Sequence, residues 1–266
     1  MNPCTPAFLL SLLGCQGSVE DATTATEPVV DPPESLIGSP EVAIFGSLQA
    51  IFAEGDFSAN ASLAQEGTSP DAYGLGALSG LRGEIAIVGG ESWLGYPDGA
   101  DAITLTRGNA PAEDAALLVV SEVSEWVTFT LEEDTTYDGL TDALVAILAD
   151  AHWPDTGAVP FRVTGNIERV DWHVIDGSLL PEGEASHEAH EEAAVSGTLE
   201  GGSPELIGFY STQHAGVITH GGVFLHVHVV DAERQVSGHV EDALFRAGTT
   251  VSLPAPSTSD PATRTP

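Results

Sequence analysis

Strand-like runs dominate the middle of the chain. Glu84-Ile-Ala-Ile-Val and Trp126-Val-Thr-Phe-Thr-Leu have the β-branched, aliphatic and aromatic density of half-buried or buried strands. Phe161-Arg-Val-Thr and the stretch from Val170 to Ile175 read the same way, and Leu117-Leu-Val-Val is a short buried run. Helical spacing is rarer. Leu140, Leu144, Ile147 and Leu148 share one helical face, which predicts a helix over Leu140–Ala149 with Thr141 at its cap or in its first turn. A shorter helix is expected over Leu48–Ala53. Many strands with two or three helices predict an α+β domain built mainly on antiparallel or mixed β-sheet.

One strand carries candidate chemistry. In GGVFLHVHVV, apolar residues alternate with His226 and His228. Residues i and i+2 of a strand share a face, so both imidazoles point the same way. The polar stretch Asp231 to Gln235 reads as a hairpin turn. If the returning strand pairs Val230 with Ser237, His239 sits opposite His228, with Cβ atoms roughly 5 Å apart. Three converging imidazoles with an open position are the usual form of a catalytic zinc site. A His-x-His strand is also often merely half-exposed, so spacing alone leaves both readings open. The same register places Glu241 opposite His226, as a fourth ligand, as a carboxylate that fixes an imidazole, or as a surface glutamate on an edge strand. His187 and His190, spaced i and i+3 among carboxylates, read as a solvated loop or helix end. Trp93, Trp126, Trp153 and Trp172 are scattered and read as core or rim.

Composition changes the setting. The 266 residues hold 7 Lys and Arg against 40 Asp and Glu, a net charge of −33, and none of the basic residues is lysine. Such a polyanion is repelled by nucleic acid and by anionic membrane surfaces. The 42% hydrophobic share is that of a globular protein, so the acidity belongs to the surface. At the N-terminus, residues 1–17 resemble a bacterial lipoprotein signal. The run Ala7 to Leu13 suits a signal h-region and is too short to span a bilayer. Cleavage before Cys15 would leave that residue to carry lipid, although no Lys or Arg precedes the apolar run. The chain is then exported and meets a membrane only through its anchor. Only Cys4 and Cys15 occur, and loss of Cys4 with the signal would leave no disulfide. Residues 18–40, rich in Pro, Thr, Glu, Asp and Ser, read as a disordered acidic linker, and 254–266 as a disordered tail. The folded domain is expected over 41–253.

The histidine segment resembles bacterial acetolactate decarboxylase, whose three zinc ligands follow the same intervals. The resemblance extends through GSLQAIFAEGDF, YGLGALSGLRGEIAIVGGESWL, PFRVTGNIERVDWHV, SGTLEGG and IGFYSTQHAGV in the expected order. It implies two β-rich halves, Zn²⁺ held by His226, His228 and His239, and Glu84 as an active-site glutamate beside the metal. It also implies decarboxylation of 2-acetolactate, or a related 2-hydroxy-3-oxo acid, to acetoin through a metal-stabilised enediolate. A homodimer is compatible with it. The departures are specific. Ala77 stands where the family has Thr, and His173 where it has an active-site Arg. The family's last active-site glutamate has no counterpart. Protonated His173 would replace the arginine, which favours activity at mildly acid pH. The alternative is an exported zinc-binding relative without catalysis.

Overall fold

The computed structural model describes residues 35–153, 157–180 and 187–256. The expected signal over 1–17, most of the expected linker and all but the first residues of the expected 254–266 tail lie outside the described residues; Pro254, assigned to that tail, instead closes the last strand and is buried there. The end of that linker does not behave as linker: Ile37 is buried and the Leu36 N–H donates to the Ala151 carbonyl at 2.8 Å. A single large aliphatic side chain among Ser, Gly and Pro is enough to dock this stretch, and a composition average hides it.

The two halves of the body each build one sheet, and every strand pairing within the sheets is antiparallel. The first sheet contains β1 (Val42–Phe45), β2 (Ala61–Ser62), β3 (Ala72–Leu78), β4 (Glu84–Val88), β5 (Glu91–Pro97), β6 (Ile103–Asn109) and β7 (Asp114–Glu122). Its order is β1-β7-β3-β4-β5-β6, with β2 also on β7. The second sheet contains β8 (Trp126–Thr130), β9 (Thr135–Thr136), β10 (Ala158–Thr164), β11 (Ile167–Ile175), β12 (Ala194–Glu200), β13 (Glu205–Ser211), β14 (Leu225–Asp231), β15 (Val236–Phe245) and β16 (Thr250–Pro254). Its order is β12-β11-β15-β14-β13-β10-β16-β8, with β9 on β15. The expected α+β class with two β-rich halves is what the chain adopts.

Local chemistry sets the helices. Helix α1 (Leu48–Glu54) starts where the Ser47 hydroxyl accepts from the Ala50 N–H, and ends at Gly55, whose φ of 64° suits a residue without a side chain. Helix α2 (Tyr137–Asp150) begins before the predicted start. Its cap is Thr136, which accepts from the Gly139 N–H, and not Thr141. Tyr137 packs half-buried against the core, but Asp138 and Gly139 carry no apolar signal, so aliphatic spacing registers only from Leu140 onward. Leu140, Leu144 and Leu148 of α2 join the core of the second sheet with Phe161 and Phe245. A separate cluster joins α1 to both sheets through Leu48, Ile51, Leu117, Ile175 and Phe209. Helix α3 spans His187–Glu192.

The sheets come into close contact at Gly95. A Cβ there would lie 2.0 Å from the Ser237 carbonyl oxygen of β15. The Ser237 hydroxyl donates to the neighbouring Trp93 carbonyl at 3.2 Å. Glycine is required because another backbone occupies the place of its side chain. Gly95 pairs with Glu84 in the first sheet, and Ser237 lies two residues before His239. This contact therefore delivers Glu84 to the histidines. Gly95→Val is expected to lower stability by about 1–3 kcal/mol and to weaken metal binding. An unchanged urea midpoint would refute the close-contact argument.

Candidate metal centre

Strand β14 places His226 and His228 on one face. The turn that follows is built by Asp231, whose carboxylate accepts from the N–H groups of Glu233 and Arg234, both at 2.9 Å, and pairs with the Arg234 guanidinium. With that turn set, Val230 pairs with Ser237 and His228 with His239, the register expected from sequence. On the other side of β15, His173 of β11 pairs with His239. A row of His228, His239 and His173 thus crosses three adjacent strands, with His226 beside it.

The first three of the predicted ligands converge. Ring centroids of His226, His228 and His239 lie 5.0 to 5.4 Å apart. Their ligand atoms all lie within 4.8 Å of one another, and the Nε2 atoms of His226 and His228 are 3.2 Å apart. Glu84 reaches in from the first sheet, its Oε2 3.7 Å from His228 Nε2. His173 stands beside His239 with ring centroids 4.9 Å apart, and its Nδ1 meets Glu241 Oε1 at 2.6 Å.

Glu241 is not opposite His226. Pairing of β14 with β15 ends at His228, and β15 carries an extra residue there relative to β11, where Trp172 pairs with Val240 and Asp171 with Asp242. This bulge takes Glu241 out of the expected register. Its side chain is 53% exposed and pairs with His173.

The donor set fits a metal ion. The His226 Nδ1 donates to the Ile218 carbonyl at 2.7 Å. Since a carbonyl only accepts, this bond fixes the proton on Nδ1 and leaves the Nε2 lone pair facing His228. Burial, reinforced by His220, pulls the His226 pKa down to about 3. Burial also holds His228 and His239 well below the usual imidazole range, helped by neighbouring histidines. Neutral imidazole is the form that ligates zinc. Burial pushes the Glu84 carboxyl the other way, up to about 7, against the opposing pull of His173 and of a backbone hydrogen bond at Ile175. Among the described residues, this is the only such group of three or more ligating side chains.

These shifts set the acid stability of the metal-free protein. The folded imidazoles resist protonation, so below the ordinary value near 6.5 the unfolded chain binds more protons and folding loses stability. Each contributes a slope of up to about 1.4 kcal/mol per pH unit. Glu84 opposes them, because its value of about 7 lies above the ordinary 4.5 and costs stability as pH rises through that interval. Three protons outweigh one. The urea midpoint of metal-stripped protein is expected to fall between pH 6.5 and 5, and a flat or rising midpoint would contradict the buried neutral triad.

The sequence profile described as alpha-acetolactate decarboxylase matches residues 41–257. The chain belongs to the alpha-acetolactate decarboxylase family. Among solved structures, the acetolactate decarboxylase of Bacillus subtilis subspecies spizizenii is 17% identical, with a TM-score of 0.66 over 81% of this chain and 86% of that one. The alpha-acetolactate decarboxylase of Bacillus subtilis strain 168 is 16% identical, with a TM-score of 0.65 over 84% and 92%. A Staphylococcus aureus protein of unknown function, similar to alpha-acetolactate decarboxylase, is 15% identical, with a TM-score of 0.63 over 80% and 85%. Among curated proteins, none matches the chain by sequence. At these identities the solved structures establish the decarboxylase fold, in which this chain is a divergent member.

Within that fold, the histidines open onto a cavity of about 1020 Å³. Glu84, His173, His226 and His239 line it, and so do two residues that sequence reasoning missed. His190, expected in solvent, is buried with its ring 4.5 Å from Phe52. His220 lies on the same ring at 4.9 Å. His190 shares a six-residue stretch with three glutamates, which disguised its inward direction. His220 sits in a glycine-flanked loop that carries no periodic signal.

Proposed function

We propose that this chain decarboxylates 2-acetolactate, or a related 2-hydroxy-3-oxo acid, with a zinc ion held by His226, His228 and His239. The observation that carries the reading is Glu84. A metal site that serves only structure has no need of a buried carboxyl 3.7 Å from one of its imidazoles with a pKa raised to about 7. Bound zinc would supply Lewis acidity to the hydroxyl and ketone oxygens of the substrate.

The chain's own groups do the rest. The bond between the carboxylate carbon and C2 breaks, carbon dioxide leaves, and the electron pair stays on the remaining fragment. Glu84, protonated near neutral pH, gives its proton to that fragment, yielding acetoin, and regains one from solvent. His173 is oriented by its Nδ1 bond to Glu241, which leaves its other nitrogen to meet the substrate carboxylate. A carboxylate needs a donor, which is the part that nitrogen would play. Burial of Glu84 and the triad limits water at the reacting carbon.

A second reading is a metal-binding relative without catalysis. It is favoured by the absence of Arg and Lys from the described residues lining the cavity, and by Ala77 paired with Glu84 where a threonine is expected. Purified protein given 2-acetolactate, with and without chelator, separates the two. Chelator-sensitive acetoin formation supports the enzyme. No acetoin from protein holding one metal ion would sink it.

A further inference from the structure

The cavity is larger than a five-carbon acid requires. Its volume of about 1020 Å³ lies at the top of the roughly 300–1,000 Å³ that encloses drug-sized ligands. Only part of its wall is polar. Leu48, Ile51 and Phe52 of α1, Ala77 of β3, Leu117 of β7 and Ile175 of β11 also line it. Five of these belong to one buried apolar cluster, and Phe52 packs against it. Ala77 pairs directly with Glu84, so the apolar wall begins beside the acid that faces the histidines. The remaining charged lining is acidic: Asp138, Asp142 and Glu241. A substrate with a second anionic group meets repulsion there, and the aliphatic stretch itself offers a polar extension no partner, the His190 and His220 rings lying against Phe52 at its edge. The space suits a neutral alkyl chain.

We infer that the substrate is a 2-hydroxy-3-oxo acid whose alkyl substituent at C2 is several carbons longer than the methyl group of acetolactate. This rests on the decarboxylase reading for the reaction, but the wall itself is independent of it. Each methylene moved from water onto an apolar wall contributes about fourfold in affinity, so three contribute about 50-fold.

The test uses metal-loaded full chain and a series with C2 substituents from methyl to hexyl. Calorimetry with the reduced 2,3-dihydroxy analogues, which do not decarboxylate, reads binding alone. Release of carbon dioxide from the oxo acids reads the reaction. Affinity should rise about 50-fold from methyl to butyl, and kcat/KM should rise with it. Affinity that is flat, falls with length or is absent overturns the inference, even if acetolactate itself is decarboxylated. The same affinity gain with no carbon dioxide from any member overturns the decarboxylase reading and leaves the longer-chain ligand supported. In Phe52→Gln the gain should shrink severalfold, and an unchanged gain overturns the assignment to this wall.

Discussion

Glu84→Gln is expected to lower the proposed decarboxylation about 10²–10⁴-fold and to leave the metal content unchanged. The size follows from the role: a positioned acid contributes about that much to a step in which a proton reaches the reacting carbon. The substitution keeps shape and hydrogen-bonding capacity, so the packing at the sheet contact survives, but an amide has no proton to give at neutral pH. Burial also penalises the carboxylate above pH 7, so the variant should be no less stable than the parent there. Acetoin formation under saturating substrate, metal analysis and a urea midpoint measure the three quantities together. A rate within threefold of the parent would remove Glu84 from the chemistry. A lost metal ion would make it a ligand instead.

The second large effect concerns the ligand set. His228 is fully buried and holds no surface role. His228→Ala leaves two imidazoles, and the affinity for zinc should fall by more than the 10–100-fold typical of losing a group that merely supports a ligand. Metal recovered after gel filtration should drop from one ion per chain to near zero, and activity should fall to background. His173→Ala is the control. Its ring is as near to His239 as the triad members are to one another, yet it stands outside the group of converging ligand atoms. That variant should keep the metal it is loaded with and lose substrate affinity, seen as a raised KM. If His173→Ala lost the metal as fully as His228→Ala, the triad would be the wrong set.

The histidine site was legible because its geometry is local. Alternation put His226 and His228 on one face, and a turn of a few residues set the partner of His228. Asp231 enforces that turn with bonds to the next two or three residues, so nothing distant had to be known. The bulge near Glu241 was not legible. One inserted residue shifts the buried face of β15 from Val236 and Val240 to Ala243 and Phe245, and a residue as small as Ala243 marks that shift too weakly to be read from apolar spacing. The start of α2 was missed for a related reason: a capping hydroxyl and a first turn holding Asp138 and Gly139 leave little trace in apolar spacing.

Sequence by itself determined the strand-rich α+β body, the face shared by His226 and His228, the pairing of His228 with His239, and the family. These depend on side-chain period and on neighbours close along the chain. Only the tertiary structure decided what surrounds the histidines. Glu84 reaches them because Gly95 lets one sheet touch the other at Ser237, a contact between distant parts of the chain. His190 and His220 face the cavity because α1 presents Phe52 to both. The raised acid and the neutral imidazoles follow from burial, which belongs to the assembled fold and to no segment of it.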